Sequence, residues 1–225
     1  MCFSAPASFI AGAVAGTAGI AAIARVKTRS ELPLAAMPLF FAAQQVIEGL
    51  LWLSLPVAPN QSATSALTEA FLLFALVFWP VYAPLAALSM ETDRQRRQWI
   101  AACLVAGIAA ALYFLWSLDE APRTATIVGA HIVYSADPTL PAAVRVLYPV
   151  ATCLSLMLSS HRSVSLLGVV VFVGSAIAYW VYWHAFTSVW CFFAAAASAL
   201  ILFHFEAARR REALAAGPGD GPPMP

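Results

Sequence analysis

The segment Pro33–Leu55 reads PLAAMPLFFAAQQVIEGLLWLSL and carries a single charge, Glu48. It is long enough to cross a hydrocarbon core, which is about 30 Å thick and takes about 20 apolar residues. Gln44, Glu48 and Trp52 follow one another at i, i+4 and i+8, with Gln45 one step round the helix, so they share one stripe. An ionised carboxylate at such a depth costs at least a few kcal/mol unless it is paired, protonated or hydrated. The stripe is therefore expected to face protein rather than lipid. Gly49 removes a side chain beside Glu48 and lets another helix approach closely.

The rest of the chain agrees with a membrane setting. Of its 225 residues 62% are apolar and only 10% are charged, against about 25% charged in average soluble domains. That is the composition of a chain solvated mainly by lipid. A formal net charge of +1 argues neither for nucleic acid nor for an acidic partner. There is no Gly-rich phosphate loop, HExxH, nucleophile elbow or CxxC. The first apolar run has no Lys or Arg before it, so it lacks the basic region of a signal peptide and is expected to be retained as a span.

Seven stretches qualify as spans, near residues 6–25, 33–55, 66–90, 99–118, 141–160, 164–183 and 187–206. Pro38, Pro80 and Pro84 fall inside the second and third, where kinks are expected and neighbouring groups must satisfy the freed carbonyls. Ten of the twelve Lys and Arg residues, Arg25, Lys27, Arg29, Arg94, Arg96, Arg97, Arg162, Arg209, Arg210 and Arg211, fall on one side of these spans; only Arg123 and Arg145 fall toward the other. The positive-inside rule then places the C-terminus in the cytoplasm and the N-terminus outside. An even span count would scramble this partition. The expected fold is an all-α bundle of seven transmembrane helices over residues 1–207, followed by a basic and then Gly/Pro-rich disordered cytoplasmic tail, 208–225. Its expected place is a bacterial cytoplasmic membrane, with the lipid bilayer as its partner.

Smaller features follow. YWVYW, Tyr179 to Trp183, reads as an aromatic belt at the outer interface. In the longest outer loop, two short β-branched or apolar runs flank Gly129, which predicts a small hairpin capping the outer face. Gly12, Gly16 and Gly19 have the spacing of close helix packing. Asn60 heads an NQS triplet of glycosylation-sequon form.

Glu48 lies roughly 12 Å below the outer end of its span at about 1.5 Å per residue. Arg145 and Glu69 each lie about one turn into their spans from the same side and are expected to pair; Arg145 can alternatively reach Glu48 or an anionic ligand. Cys2, His131, His184 and Cys191 lie on the outer side as well. Cys2 and Cys191 can form a disulfide in an oxidising periplasm, pack as small apolar residues, or join His184 and Glu48 around zinc or another metal. Cys103 and Cys153 read as packing residues. His161 and His204 lie near the cytoplasmic ends of their spans; a haem between them is conceivable but has no motif context.

The opening MCFSAPASF, with QQVIEGLLW at 44–52 and WCFFAAAAS at 190–198, resembles a family of multi-pass membrane proteins with no assigned activity whose members open with MCFSA-x-ASF. The resemblance implies an integral membrane protein and places Cys2, Ser4, Gln45, Glu48, Trp52, Trp190 and Cys191 at its motif positions. It supplies no substrate. Microbial rhodopsins fit poorly, because the only lysine is Lys27, and so do the membrane hydrolases with an HxxxH pair in the last helix.

Two functional readings come from these residues. In the first, a small molecule or ion binds in a sensor- or transporter-like protein, with Gln44, Gln45 and Glu48 at the centre, Trp52 and Trp190 as walls, and Arg145 balancing charge. In the second, a metal-assisted membrane enzyme uses Cys2, Cys191 and His184 as ligands and Glu48 as base or fourth ligand. A structural or assembly protein is the third possibility.

Overall fold

The computed structural model describes residues 4–121, 123–135, 140–181 and 198–210. Helices occupy the first six expected positions and the described part of the seventh: α1 Ala5–Ile23, α2 Leu32–Ser54, α3 Ser62–Met90, α4 Arg94–Glu120, α5 Ala142–Met157, α6 Arg162–Val181, and α7 at 198–210, with 187–197 outside the described residues. Of these, α1, α2 with its 3-10 lead-in, α3, α4 and α6 are long and apolar enough to cross a membrane. That points to an integral membrane protein. The fifth is apolar but shorter.

The helices run up and down. Gly12 and Gly19 of α1 pack on Gln45 and Leu39 of α2, and Phe9 packs on Gly49, which makes the pair antiparallel. Tyr82 of α3 donates to the carbonyl of Pro33 at 2.9 Å. Gly168 of α6 packs on Met157 of α5. Arg25 at the end of α1 meets Glu206 of α7 at 2.9 Å, closing the ring of helices. Every described Lys and Arg except Arg123 and Arg145 then lies at one end, the basic end. The small glycines of α1 act as expected: Gly12 faces the Ala42 carbonyl and Gly16 the Ala42 methyl.

The expected hairpin is present. β1, Ala125–Val128, pairs antiparallel with β2, His131–Tyr134, and Gly129 turns the chain with φ +60. Ile132 and Ala125 are buried against Leu51, Leu55, Phe71 and Leu72, while Tyr134 stacks on Phe71 at 4.7 Å. The hairpin thus caps the ends of α2 and α3 opposite the basic end, and it is the one departure from an all-α fold among the described residues. Tyr179 and Trp180, from the expected belt, are exposed; the rest of that stretch and the tail from 211 lie outside the described side chains.

The prolines shape α3. Its Leu73–Phe78 segment widens into a π-helix, and the N–H of Trp79 bonds the carbonyl of Phe74. The next rung would run from residue 80 to Ala75, but Pro80 has no N–H. The hydroxyl of the buried Tyr148 on α5 donates to that Ala75 carbonyl instead. This is the re-satisfaction that proline inside a membrane helix requires. Tyr148→Phe is expected to lower stability by about 1–2 kcal/mol, read by thermal unfolding in detergent. In a Pro80→Ala background the loss should shrink, because an N–H is restored.

Candidate functional site

Gln44, Gln45 and Glu48 are all wholly or almost wholly buried, at 0%, 1% and 0% exposure. The stripe faces the interior, as the cost of an exposed carboxylate in hydrocarbon dictates. Gln44 accepts a hydrogen bond from Trp79 Nε1 at 2.7 Å, tying α2 to α3. Gln45 Nε2 donates to Glu48 Oε2 at 3.4 Å within α2. Phe9 of α1 lies over Gly49, so the missing side chain is what lets α1 close over this part of α2.

Two further polar atoms belong to the same region. Ser8 is on the buried face of α1, one turn from Gly12, which touches Gln45; it is 0% exposed and its Oγ has no hydrogen-bond partner among the described residues. Trp52, one turn beyond Glu48, has a buried Nε1 that is likewise unpartnered there. Trp52 packs beside the cluster that seats the hairpin. Ser8 was not singled out as a site residue from sequence; its signals are its place as the serine of ASF in the opening motif and its register with Gly12.

Toward the basic end the character changes. Phe41 stacks on Trp79 with ring centres 3.8 Å apart. Phe40, Phe78 and Tyr82 cluster beside them, at 4.7 to 4.9 Å. Met37 and Leu34 continue the buried wall. The polar stripe therefore ends on an aromatic floor.

The other expected residues are dispersed. Glu69 and Arg145 are both exposed, and among the described residues no ion pair joins them. The expected pair is not formed, and an exposed pair is worth at most about 1 kcal/mol. Arg145 does not join the Glu48 stripe. Cys2, His184, Trp190 and Cys191 lie outside the described residues, as do the disulfide and metal site built on them. His131 sits half-buried on β2. Cys103 and Cys153 are buried free thiols. His161 and His204 have ring centres 5.9 Å apart, with Ser163 Oγ 2.5 Å from His204 Nδ1. A groove of roughly 400 Å³ between the hairpin and the α2–α3 turn is lined by Leu55, Pro56, Pro59, Ala125, Thr126 and Ile127 and holds no ionisable side chain.

A second buried carboxylate, Glu91, stands at the basic end just past α3. It is 1% exposed and accepts from Thr92 N at 3.1 Å, Asp93 N at 3.0 Å, Ser160 N at 2.7 Å and Ser160 Oγ at 2.9 Å. Burial pushes its pKa up, but the Ser160 and Asp93 backbone N–H groups, the Ser160 hydroxyl and the Thr92 N–H outweigh it, and the net shift is downward. Arg97 Nη1 donates to the carbonyls of Leu88 and Glu91, and Arg96 Nη1 to that of Leu158 at 2.8 Å. This is a clasp between the α3–α4 and α5–α6 turns.

A family model described as "Family of unknown function (DUF6629)" matches residues 1–217, and the chain belongs to that family. No curated protein and no solved structure matches it.

Proposed function

We propose that the protein is a seven-span membrane protein with its N-terminus outside and its C-terminus cytoplasmic, and that it binds a small molecule or ion at the Glu48 stripe in a sensor- or transporter-like role. The orientation is supported by the gathering of basic residues at one end. A bacterial cytoplasmic membrane is the setting we propose for it. The observation that carries the binding reading is a wholly buried ionisable side chain, Glu48, on a polar stripe inside an otherwise apolar bundle. An intramembrane ionisable residue is a functional site by default, because its cost must be offset by something.

The test is native mass spectrometry of the detergent-released protein beside Glu48→Gln. We expect a bound species on the wild type that the variant loses by tenfold or more in occupancy, with unfolding temperatures within a few degrees of each other. Bare polypeptide in both, with equal stability, would assign the stripe to helix fastening, the role that Gln44 already plays toward Trp79.

A further inference from the structure

We infer that Glu48 is a proton-binding site in exchange with the hairpin end of the bundle only, by way of water held at Ser8 Oγ and Trp52 Nε1. This rests on the reading of the Glu48 stripe as a binding site and adds to the small molecule or ion bound there a proton, with its accompanying water, as a second species.

Three observations carry it. Ser8 and Trp52 bury polar atoms without a partner among the described residues, and each such atom costs about 1–3 kcal/mol if nothing meets it. Water meets such atoms where the site is polar, and Glu48 and Gln45 supply the further partners it needs. Second, these groups are ordered along the helix axis. Gln44, Glu48 and Trp52 rise by single turns over roughly 12 Å toward the hairpin end, with Ser8 alongside on α1. Third, the other direction is closed. From Phe41 to Leu34, about 10 Å of helix, the buried neighbours are the stacked Phe41 and Trp79, then Met37 and Leu34. Among the described residues the side chains that wall that stretch are apolar but for Tyr82, whose hydroxyl is already given to the Pro33 carbonyl at 2.9 Å.

The step is a reversible acid–base transfer. A water on the hairpin side gives a proton to the Glu48 carboxylate, and the neutral acid returns it to the same side; no bond other than O–H changes and no co-reactant is needed. On the stripe itself Glu48 is the ionisable side chain. Among the described residues α1 carries no titratable side chain, α3 carries Glu69, which is exposed, and Tyr82, which lies in the floor, and the hairpin carries His131 and Tyr134.

The experiment uses N,N′-dicyclohexylcarbodiimide, an apolar reagent that adds to protonated carboxyl groups, on the full-length protein in sealed membrane vesicles of both orientations. We expect an adduct at Glu48, absent in Glu48→Gln, whose rate falls at least tenfold as the pH facing the hairpin end is raised and does not respond to the pH facing the basic end. Phe41→Ala, which removes half of the stacked floor, should make the rate respond to both sides. A wild-type rate that follows the basic end, or an absence of labelling at every pH, overturns the inference. Either result, with the bound species of the mass measurement still present, would leave the binding reading standing and remove only the proton.

Discussion

Replacing Gly107 by alanine is expected to damage this fold more than an added methyl at any other described glycine. A Cβ at that position would stand 1.8 Å from the carbonyl oxygen of Pro80 and 2.7 Å from its carbon, with the Ala151 methyl at 3.0 Å. The obstacle is backbone, so no rotamer can move aside. The contact also has a reason to exist. Pro84 lacks the N–H that would bond the Pro80 carbonyl in a regular helix, and that carbonyl instead meets the Cα hydrogens of Gly107 on α4, a weak but recurrent contact between helices. An added methyl both forces α3 and α4 apart and buries the oxygen unpartnered. The cost should exceed the roughly 1–3 kcal/mol of ordinary overpacking, and a fall in unfolding temperature of about 10 °C or a loss of folded protein is expected. Gly16→Ala is the control, because its methyl would meet only the Ala42 methyl, at 3.5 Å. Equal unfolding temperatures for the two variants would contradict the argument.

That contrast shows where the sequence was readable. Long-period signals survived: among the described residues each of the seven apolar stretches carries a helix, and five are long enough to span. The stripe of Gln44, Gln45 and Glu48 was legible because helix geometry and the cost of charge in hydrocarbon leave one direction for it to face. The hairpin was legible because Gly129 sits between two strand-like runs. What could not be read depends on a partner distant in the chain. Gly107 looks like any other glycine in an alanine-rich helix until Pro80 is set against it. Tyr148 shows no sign that it completes a hydrogen bond seventy-three residues away. Glu69 and Arg145 illustrate the converse: matched depth on separate helices says nothing of the angle at which each side chain leaves its helix, and both point away. Glu91 was hidden in a charged run, ETDRQRRQ, that reads as a solvated turn. Three of its four donors are backbone N–H groups, which every sequence offers and none advertises.

Glu91→Ala is therefore expected to be the second most damaging change, at about 3 kcal/mol. The carboxylate gathers the N–H groups of Thr92 and Asp93 from its own turn and the N–H and hydroxyl of Ser160 from the α5–α6 turn. Hydrogen bonds to a charged acceptor contribute about 1.5–3 kcal/mol each, and these four act as a unit, so their contributions do not simply add. Their loss also unties the two turns at the end where α3 and α5 finish. The pH dependence distinguishes this from loss of packing. Because the folded protein holds the Glu91 pKa below its ordinary value, the stabilisation is fully present above the ordinary carboxylate range and is lost as pH falls through the depressed folded value. Glu91→Gln keeps one acceptor oxygen but has no charge to lose. The gap in unfolding temperature between wild type and Glu91→Gln, measured from pH 7 down to pH 3, should be full at neutrality and close on acidification. A gap that stays constant over that range would mean that the side chain acts by shape alone.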